Sequence, residues 1–254
     1  MLRSLLLASA VAACAAAPAF AAPADAITWT GPYVGVNLGY GGGNFNYPYS
    51  GTTDAAGTNP VTGRLRQSST GVLGGGQIGY NYETPNGWVV GLETDLDGTG
   101  INGRSAFSSV DGAGNASSDE IKSQIDYLGT VRGRIGRPMF DGRFMPYVTG
   151  GFAYGRVKSI ADFNCSACGT DGAAVSNFDS AASTRTGWTV GAGTEYALNN
   201  HLSFKVEYLY ADLGRDTVAN DAAQFTGPGV NLFNANVQAD ANANVVRVGL
   251  NYRF

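Results

Sequence analysis

Two cysteines close together are the first residues in this sequence that could do redox or metal chemistry. Cys165 and Cys168 are separated by two residues in "CSAC". Such a pair could be a thioredoxin-type redox motif, half of a zinc site, or a local disulfide. The redox motif requires a helix start within a βαβ unit, which the sequence lacks, and structural zinc requires four ligands. We therefore expect a disulfide between Cys165 and Cys168 in a surface loop of an exported protein, with free thiols as the alternative.

No other group of residues has the pattern of a catalytic or cofactor site. Gly74, Gly76 and Gly79 match the dinucleotide-binding glycine pattern in "GGGQIG", but a strand end and a hairpin follow where a helix would have to begin. The single histidine, His201, lies in the turn "LNNH", and no nucleophile can be matched with a base. Aspartates in polar loops, such as Asp111, are the remaining catalytic candidates. We expect a protein that is not an enzyme and that holds no cofactor and no metal.

The charged residues recur in segments where every second residue is apolar. In the final segment, "VVRVGLNYRF", the apolar positions run from Val246 to Phe254, and Arg247 and Arg253 lie between them. This period of two is typical of a β-strand with one apolar and one polar face. Seven further segments of about ten residues have the same pattern, for example "LSFKVEYLY" and "IDYLGTVRGRI". The abundance of glycine and aromatic residues also favours an all-β fold over a helical one.

The connections between the eight segments alternate between short and long. The short connections, "TPNG", "RPMFDGR" and "LNNH", include Asn-Gly and Asp-Gly pairs that favour hairpin turns. The long connections are polar and lie at about 43–69, 98–120, 159–183 and 214–241. This pattern predicts an eight-stranded antiparallel up-and-down transmembrane β-barrel with four long extracellular loops. A soluble β-sandwich is the alternative, because its strands would also alternate apolar and polar positions.

Two features favour a lipid-facing barrel over the sandwich. Aromatic residues lie near both ends of the apolar faces, as in the two interfacial girdles of an outer-membrane barrel. The opposite faces carry full charges deep within the strands, where a sandwich core would require apolar residues. An eight-stranded barrel is only about wide enough for its own side chains, so we expect these charges to pair across the lumen. The predicted lumen charges are Glu93, Asp95, Asp126, Arg132, Arg134, Glu195, Lys205, Glu207, Arg247 and Arg253.

The N-terminus has the pattern of a secretory signal peptide. Arg3 precedes an apolar run and a small-residue cleavage site around 19–22. We therefore expect residues 1–22 to be removed and residues 23–254 to form the barrel, with lipidation at Cys14 as the alternative. The formal net charge of the chain is −4, so nothing suggests binding to nucleic acid.

Three motifs resemble those of a known family. The segments "TWTGPYVGVNLGYGGG", "YLGTVRGRIG" and "VRVGLNYRF" are similar to those of the small outer-membrane β-barrel proteins of alphaproteobacteria, an OmpA-like group often called the porin family. The resemblance covers residues 29–254. It implies a barrel in the outer membrane of a Gram-negative bacterium, surrounded by membrane lipids and lipopolysaccharide. It also implies delivery by periplasmic chaperones and use of the final aromatic residue, Phe254, as a signal for the barrel assembly machinery. No oligomeric state follows from it.

Three functions are compatible with such a barrel. The favoured hypothesis is a structural role in the envelope and in surface interaction, including antigenicity, with the lumen closed by salt bridges. The second is a narrow passive pore for ions or small solutes, which requires a gap in the charge network. The third is a haemin-binding receptor in which Tyr47 and Tyr49, or the cysteines, ligate iron. If salt bridges alone close the lumen, Arg132→Ser together with Arg247→Ser should raise the conductance.

Overall fold

The computed structural model describes residues 27–52, 58, 60–110, 116–165, 175–222, 225–227 and 230–254. Within these ranges the chain forms eight long β-strands and one short one. They are β1 (Gly31–Thr52), β2 (Pro60–Glu83), β3 (Val89–Val110), β4 (Ala116–Gly136), β5 (Phe144–Cys165), β6 (Val175–Ala197), β7 (Leu202–Ala222), the short β8 (Phe225–Gly227) and β9 (Val230–Arg253). These ranges contain no helix long and apolar enough to cross a membrane. The expected signal peptide, residues 1–22, and Cys168 lie outside the described residues.

The eight long strands form one closed antiparallel sheet in chain order. Each long strand pairs with the next, and β1 also pairs with β9, which closes the barrel. Closure places Tyr40 opposite Val246 and Tyr33 opposite Arg253. The three-residue β8 adds to β9 in a small hairpin of its own. The predicted eight-stranded barrel is therefore confirmed, and the β-sandwich is excluded because it would need two sheets packed face to face.

The outward face of the barrel is an apolar band with aromatic residues at both ends. Val36, Leu38 and Leu92 are 63%, 61% and 68% exposed, the reverse of what a water-soluble core requires. At the end with the short turns, the exposed rings are Tyr82, Trp88, Tyr196, Phe204, Tyr252 and Phe254. At the other end they are Tyr40, Trp188 and Tyr208, with Tyr127, Tyr154 and Tyr210 half-buried. An apolar band between two aromatic girdles is the surface that an outer-membrane barrel presents to lipid.

The strands extend beyond this band into segments that the sequence predicted to be loops. On β1 and β2, Gly43 pairs with Ser69 and Thr52 with Pro60. Much of the expected loops at 43–69, 98–120, 159–183 and 214–241 is therefore paired strand. Strand pairing satisfies the backbone N–H and C=O groups whatever the side chains are. Strands are recognised in a sequence by alternating apolar residues, and segments rich in Ser, Thr, Asn and Gly lack this alternation. The 22 residues of β1 span roughly 70 Å, so the wall projects well past an apolar band about 25 Å tall.

Three short turns close the opposite end of the barrel at the predicted positions, 84–87, 137–143 and 198–201. Gly87, in "TPNG", has a φ of 75°, a left-handed conformation that glycine adopts without strain. In the second turn Asp141 and Gly142 have φ angles of 59° and 77°. Asp and Gly tolerate this region, so the dipeptides identified in the sequence do set the turns.

Candidate functional site

The barrel interior consists of three layers of buried side chains. The mouth layer, at the end with the short turns, contains Trp29, Val89, Met145, Tyr147 and Ala197. The charged layer contains Glu93, Asp95, Asp97, Arg132, Arg134, Glu195, Lys205, Glu207 and Arg247. The apolar layer contains Phe45, Tyr47, Leu73, Ile101, Ile125, Leu128, Ala153, Val157, Leu209, Ala211, Leu213, Ala241, Ala243 and Val245. The order is visible on β3, where Val89, then Glu93 to Asp97, then Ile101 follow one another along the inward face.

Arg132 is one of two arginines at the centre of the charged layer. It extends inward from β4, and its guanidinium nitrogens form ion pairs with three carboxylates. They lie 2.5 Å from Glu93 Oε1, 2.8 Å from Asp95 Oδ2 and 2.9 Å from Glu207 Oε1. Since Glu207 is on β7, which does not neighbour β4 in the sheet, this side chain bridges the lumen.

Arg247 enters the same layer from β9 and shares these three carboxylates, Glu93 at 3.7 Å and the other two at shorter distances. Its Nη2 lies 2.7 Å from Asp95 Oδ2 and 2.7 Å from Glu207 Oε2. Its Nη1 lies 2.9 Å from Asp97 Oδ2. Asp95 and Asp97 are on β3, across the lumen from β9. The two arginines therefore cross-link β3, β4, β7 and β9 through shared carboxylates.

Lys205 and Arg134 complete the ion pairs. Lys205 Nζ lies 3.0 Å from Glu93 Oε1, again joining β7 to β3 across the lumen. Arg134 Nη2 lies 2.6 Å from Glu195 Oε2. The other oxygen of Glu195 accepts hydrogen bonds from Ser203 Oγ at 2.5 Å and Asn251 Nδ2 at 2.9 Å. Each charge of the charged layer thus has an opposite charge in contact, which offsets the large cost of removing it from water.

Two inward-facing glycines provide space for tyrosines that hydrogen-bond to this layer. Tyr33 Oη donates to Glu93 Oε2 at 2.7 Å, and Tyr147 Oη donates to Glu207 Oε1 at 3.0 Å. A Cβ at Gly79 would lie 2.4 Å from the Tyr33 ring, and one at Gly193 would lie 2.7 Å from Tyr147 Oη. Part of the glycine content of the strands is therefore needed to fit large polar side chains inside.

The mouth layer is built around Trp29, in the residues that precede β1. Trp29 is fully buried, its Nε1 donates to the carbonyl of Gly142 at 2.8 Å, and its backbone N–H donates to Glu83 Oε2 at 3.1 Å. The Arg253 guanidinium lies 4.5 Å from the centre of the indole ring and donates to the carbonyl of Thr28. Residues 27–30 therefore cover this end of the lumen and join it to the last strand.

Two predictions about the lumen charges need correction. Asp126 was predicted to point inward, but it faces outward and lies 3.7 Å from Arg156. The pairing of β4 with β5 shifts register between Ile125 and Tyr127, and this bulge reverses the alternation at Asp126. Arg253 is buried, but it belongs to the mouth layer rather than to the charged layer.

Asp97, which lies inside the charged layer, was not among the predicted residues. It is buried and contacts Arg247. The sequence indicates its position through its spacing of two from Asp95. Glu93, Asp95 and Asp97 are alternate residues of one strand, so their side chains point to the same face.

The apolar layer is also absent from the residues that the alternation pattern predicts for the lumen. It fills the lumen between the charged layer and the projecting hairpins, and each of its members is at most 5% exposed. Leu128 and Leu209 were the available signals, because each places an apolar residue in the otherwise polar row of its strand. An apolar section of a narrow lumen excludes water and ions by a different mechanism from paired charges.

The remaining predicted residues have varied positions. His201 is exposed in its short turn and stacks on Tyr252, with ring centres 5.9 Å apart. Tyr47 points inward and its hydroxyl lies 2.5 Å from Ser123 Oγ, so it is not displayed on the outer surface as a haemin ligand would be.

Cys165 is the last residue of β5, and its pairing with Cys168 stays a prediction because Cys168 lies outside the described residues. The structure contains no group of three or more His, Cys, Asp or Glu residues that could hold a metal, within the ranges it describes.

Phe254 lies at the seam between the first and last strands. Its backbone N–H donates to the carbonyl of Pro32 at 3.1 Å, and its ring contacts Tyr252 edge-on at 5.2 Å. The side chain is 69% exposed, on the face that carries the aromatic girdle. The ring therefore makes few contacts within the barrel itself.

The family model that matches this chain agrees with this architecture. Residues 6–254 match the family model described as outer membrane protein beta-barrel domain. The chain is 39% identical to the 31 kDa outer-membrane immunogenic protein of Brucella melitensis over 92% of this chain and 87% of that protein. It is 30% identical to the 22 kDa outer membrane protein of Rhizobium leguminosarum over 60% of this chain and 58% of that one. Among solved structures it is similar to the outer membrane protein OprG from Pseudomonas aeruginosa, with a TM-score of 0.47, 17% identity, and coverage of 90% of this chain and 98% of that one.

Proposed function

The chain belongs to the outer membrane β-barrel protein family and lies in the outer membrane of a Gram-negative bacterium, and on this premise we propose that it is a non-conducting structural barrel. In this proposal the barrel stiffens the envelope, and the projecting hairpins interact at the cell surface. The observation that carries it is the filled lumen. Ion pairs across the lumen and the apolar layer beyond them both oppose the passage of ions.

The electrostatics of the charged layer support closure. Opposite charges 4 Å apart attract by roughly 4 kcal/mol at an effective dielectric constant near 20. Arg132 and Arg247 contact five carboxylate oxygens at 2.5 to 2.9 Å, so moving either arginine aside would break several such contacts together. Spontaneous opening should accordingly be rare.

A planar lipid bilayer experiment tests this proposal. We expect the purified wild-type barrel to show no channel, or openings that are small and infrequent. A steady conductance as large as that of a wide general porin would contradict the structural role and would favour the passive pore.

The surface role is supported by the projecting hairpins and by the relatives, which are named as outer-membrane immunogenic proteins. Outer-membrane barrels have short turns on the periplasmic side and longer connections outside. We expect an epitope tag inserted between Thr52 and Pro60 to bind antibody on intact cells. The same tag inserted in the turn at 84–87 should bind antibody after the cells are opened, and binding on intact cells would reverse the proposed orientation.

We infer that Phe254 acts mainly during assembly rather than in stabilising the finished barrel. Its exposed ring supports this, because removing it should take few contacts from the folded state. Deleting Phe254 should reduce the amount of folded protein in the outer membrane, measured as the heat-modifiable band on gels. The unfolding midpoint of the same variant, refolded in detergent, should stay close to that of wild type. Normal levels in cells, or a large loss of stability after refolding, would contradict this role.

We also infer that the barrel is not an enzyme. The charges of the charged layer are engaged in ion pairs with one another, and His201 lies exposed at the end with the short turns. Arginine and lysine neutralise the buried carboxylates. These carboxylates therefore have a structural role that requires no substrate.

A further inference from the structure

The projecting wall of the barrel is not one continuous sheet, because two of its strand pairs end early. The pairing of β2 with β3 ends at Thr70 and Asn102, and the pairing of β6 with β7 ends at Trp188 and Asp212. The β1–β2, β3–β4, β4–β5 and β5–β6 pairs instead continue to, or almost to, the ends of their strands. Beyond the aromatic girdle the wall therefore consists of two curved four-stranded sheets, β7-β9-β1-β2 and β3-β4-β5-β6.

Where the pairing of β2 with β3 has ended, β2 continues as the edge of a sheet. It stays paired with β1 on its other side as far as Pro60. The two strands are still close where they diverge, since a Cβ on Gly103 would lie 2.8 Å from Ser69 Cβ. We therefore take the part of β2 furthest from this point, residues 60–66, as the β2 edge. An extended peptide can add to a sheet edge through main-chain hydrogen bonds, because the edge directs N–H and C=O groups away from its own sheet.

The β2 edge is positively charged. Its charged residues are Arg64 and Arg66, which are two positions apart and therefore point to the same face. Both side chains are exposed, and neither forms an ion pair within the described part of the chain. Residues 43–52 of β1, with which β2 pairs here, contain no charged residue. The charge of this edge is therefore not neutralised by its neighbour in the sheet.

The surroundings of the β2 edge distinguish it from the other gap in the wall. Across the β2–β3 gap, residues 103–110 contain one charged residue, Arg104, which has interactions of its own within the chain. The acids Asp119 and Glu120 lie on β4, separated from the β2 edge by β3. By contrast, the segments of β6 and β7 beside the second gap contain both aspartates and arginines. The β2 edge is thus the edge with a single sign of charge.

The β2 edge lies beyond the lipid headgroups. Val72, on the same strand, is 63% exposed and pairs with the girdle residue Tyr40. Arg66 and Arg64 follow six and eight residues further from the membrane, which is roughly 15 and 20 Å of height for a strand tilted by about 40°. The headgroup region on one side of a bilayer is only about 5–8 Å thick. A protein outside the cell can therefore reach both arginines.

We propose that the β2 edge binds an extended peptide segment of another protein, with acidic residues at every second position. The proposal rests on the surface role proposed above and gives the chemistry of the partner. In an added strand, two acids with one residue between them would share the face of Arg64 and Arg66 and could pair with both. A second copy of this chain fits less well, because pairing two β2 edges would place arginines against arginines.

Fluorescence anisotropy of labelled peptides with the purified barrel in detergent tests the proposal. The probe is a threonine heptapeptide with glutamate at its third and fifth positions. We expect it to bind saturably, and we expect a peptide with the glutamates at the third and sixth positions to bind about fivefold more weakly. The two peptides have the same charge, but the second has its acids on opposite faces and loses one cross-strand pair. Methylating alternate peptide nitrogens of the probe should abolish binding, because it removes main-chain donors.

Variants of the barrel locate the site. Arg64→Gln with Arg66→Gln should weaken probe binding about tenfold, since each cross-strand pair of opposite charges contributes up to roughly a fivefold factor. Arg64→Lys with Arg66→Lys should largely retain binding. Arg156→Gln is the matched control, because Arg156 is also an exposed arginine but β5 is paired on both sides of it, and the affinity should not change. Heat-modifiable mobility on gels shows that each variant is a folded barrel.

Three results would overturn the proposal. They are no saturable binding at millimolar probe, equal binding of the methylated probe, and unchanged affinity in the double glutamine variant. The epitope-tag experiment tests the surface role separately. Hairpins that are exposed on intact cells but do not bind the probe would contradict this inference alone.

Discussion

Replacing Arg247 with methionine is expected to lower the free energy of unfolding by about 3–5 kcal/mol, the cost of removing one partner from a buried ion pair. The substitution keeps most of the side-chain volume but leaves Asp95, Asp97 and Glu207 with one cation fewer. These carboxylates are buried and cannot regain water without opening the barrel. Urea unfolding of the barrel refolded in lipid vesicles measures the loss.

A matched variant separates burial from the loss of charge. Arg215→Met removes an arginine from an equally short ion pair, but the Arg215 side chain is 60% exposed. Solvent screens such a pair, so this variant should unfold at nearly the same urea concentration as wild type. A similar loss of stability in both variants would contradict the assignment of Arg247 to a dry charged layer.

A second substitution tests which carboxylate causes the loss. In the described part of the chain, Arg247 is the one cation that forms an ion pair with Asp97. Adding Asp97→Asn to Arg247→Met should therefore recover part of the stability, because it removes an uncompensated charge. If the double variant were less stable than Arg247→Met, the charge of Asp97 would not be the source of the loss.

The strands and most of the lumen charges could be predicted from the sequence because one physical rule governs both. A side chain in a strand points to the face opposite that of its neighbours, so the parity of Arg247 against Val246 and Val248 places it inside once the apolar face meets lipid. The rule gave the wrong face for Asp126. A bulge at this residue changes which side chains point inward, and the residue types do not show where a bulge lies. Pairing register is a property of two strands, and a single strand does not reveal it.

The apolar layer and the mouth layer could not be predicted by the same rule. Leu209 interrupts a polar row, but alternation cannot tell whether such a residue is an exception or part of a cluster with Leu73 and Ile101 on other strands. Trp29 lies before β1, where no strand pattern applies, and its burial depends on contacts with the distant residues Gly142 and Arg253. Both layers arise from barrel closure, which brings together residues far apart in the sequence.

The three layers lie in series along one lumen, and this changes the expected result of opening the charged layer. If salt bridges alone closed the barrel, Arg132→Ser with Arg247→Ser would be sufficient to admit ions. The apolar layer lies beyond them, and a lumen section lined mainly by buried apolar side chains opposes the entry of a hydrated ion. We therefore expect this double variant to conduct little more than wild type in a planar bilayer. Its uncoupled acids, among them Glu207, should mainly reduce stability.

Conductance should rise when all three layers are opened together. Adding Ile101→Ser, Leu128→Ser and Leu209→Ser would make the apolar layer polar on β3, β4 and β7, and Trp29→Gly would clear the mouth layer. Since each 1.4 kcal/mol removed from a barrier raises a rate about tenfold, we expect the combined variant to conduct at least about tenfold more than the arginine double variant. The gain should favour cations, because the five acids of the charged layer would then outnumber its two remaining cations, Lys205 and Arg134. Equal conductance of the two variants, with both shown to be folded by heat-modifiable mobility, would mean that the apolar layer is no barrier.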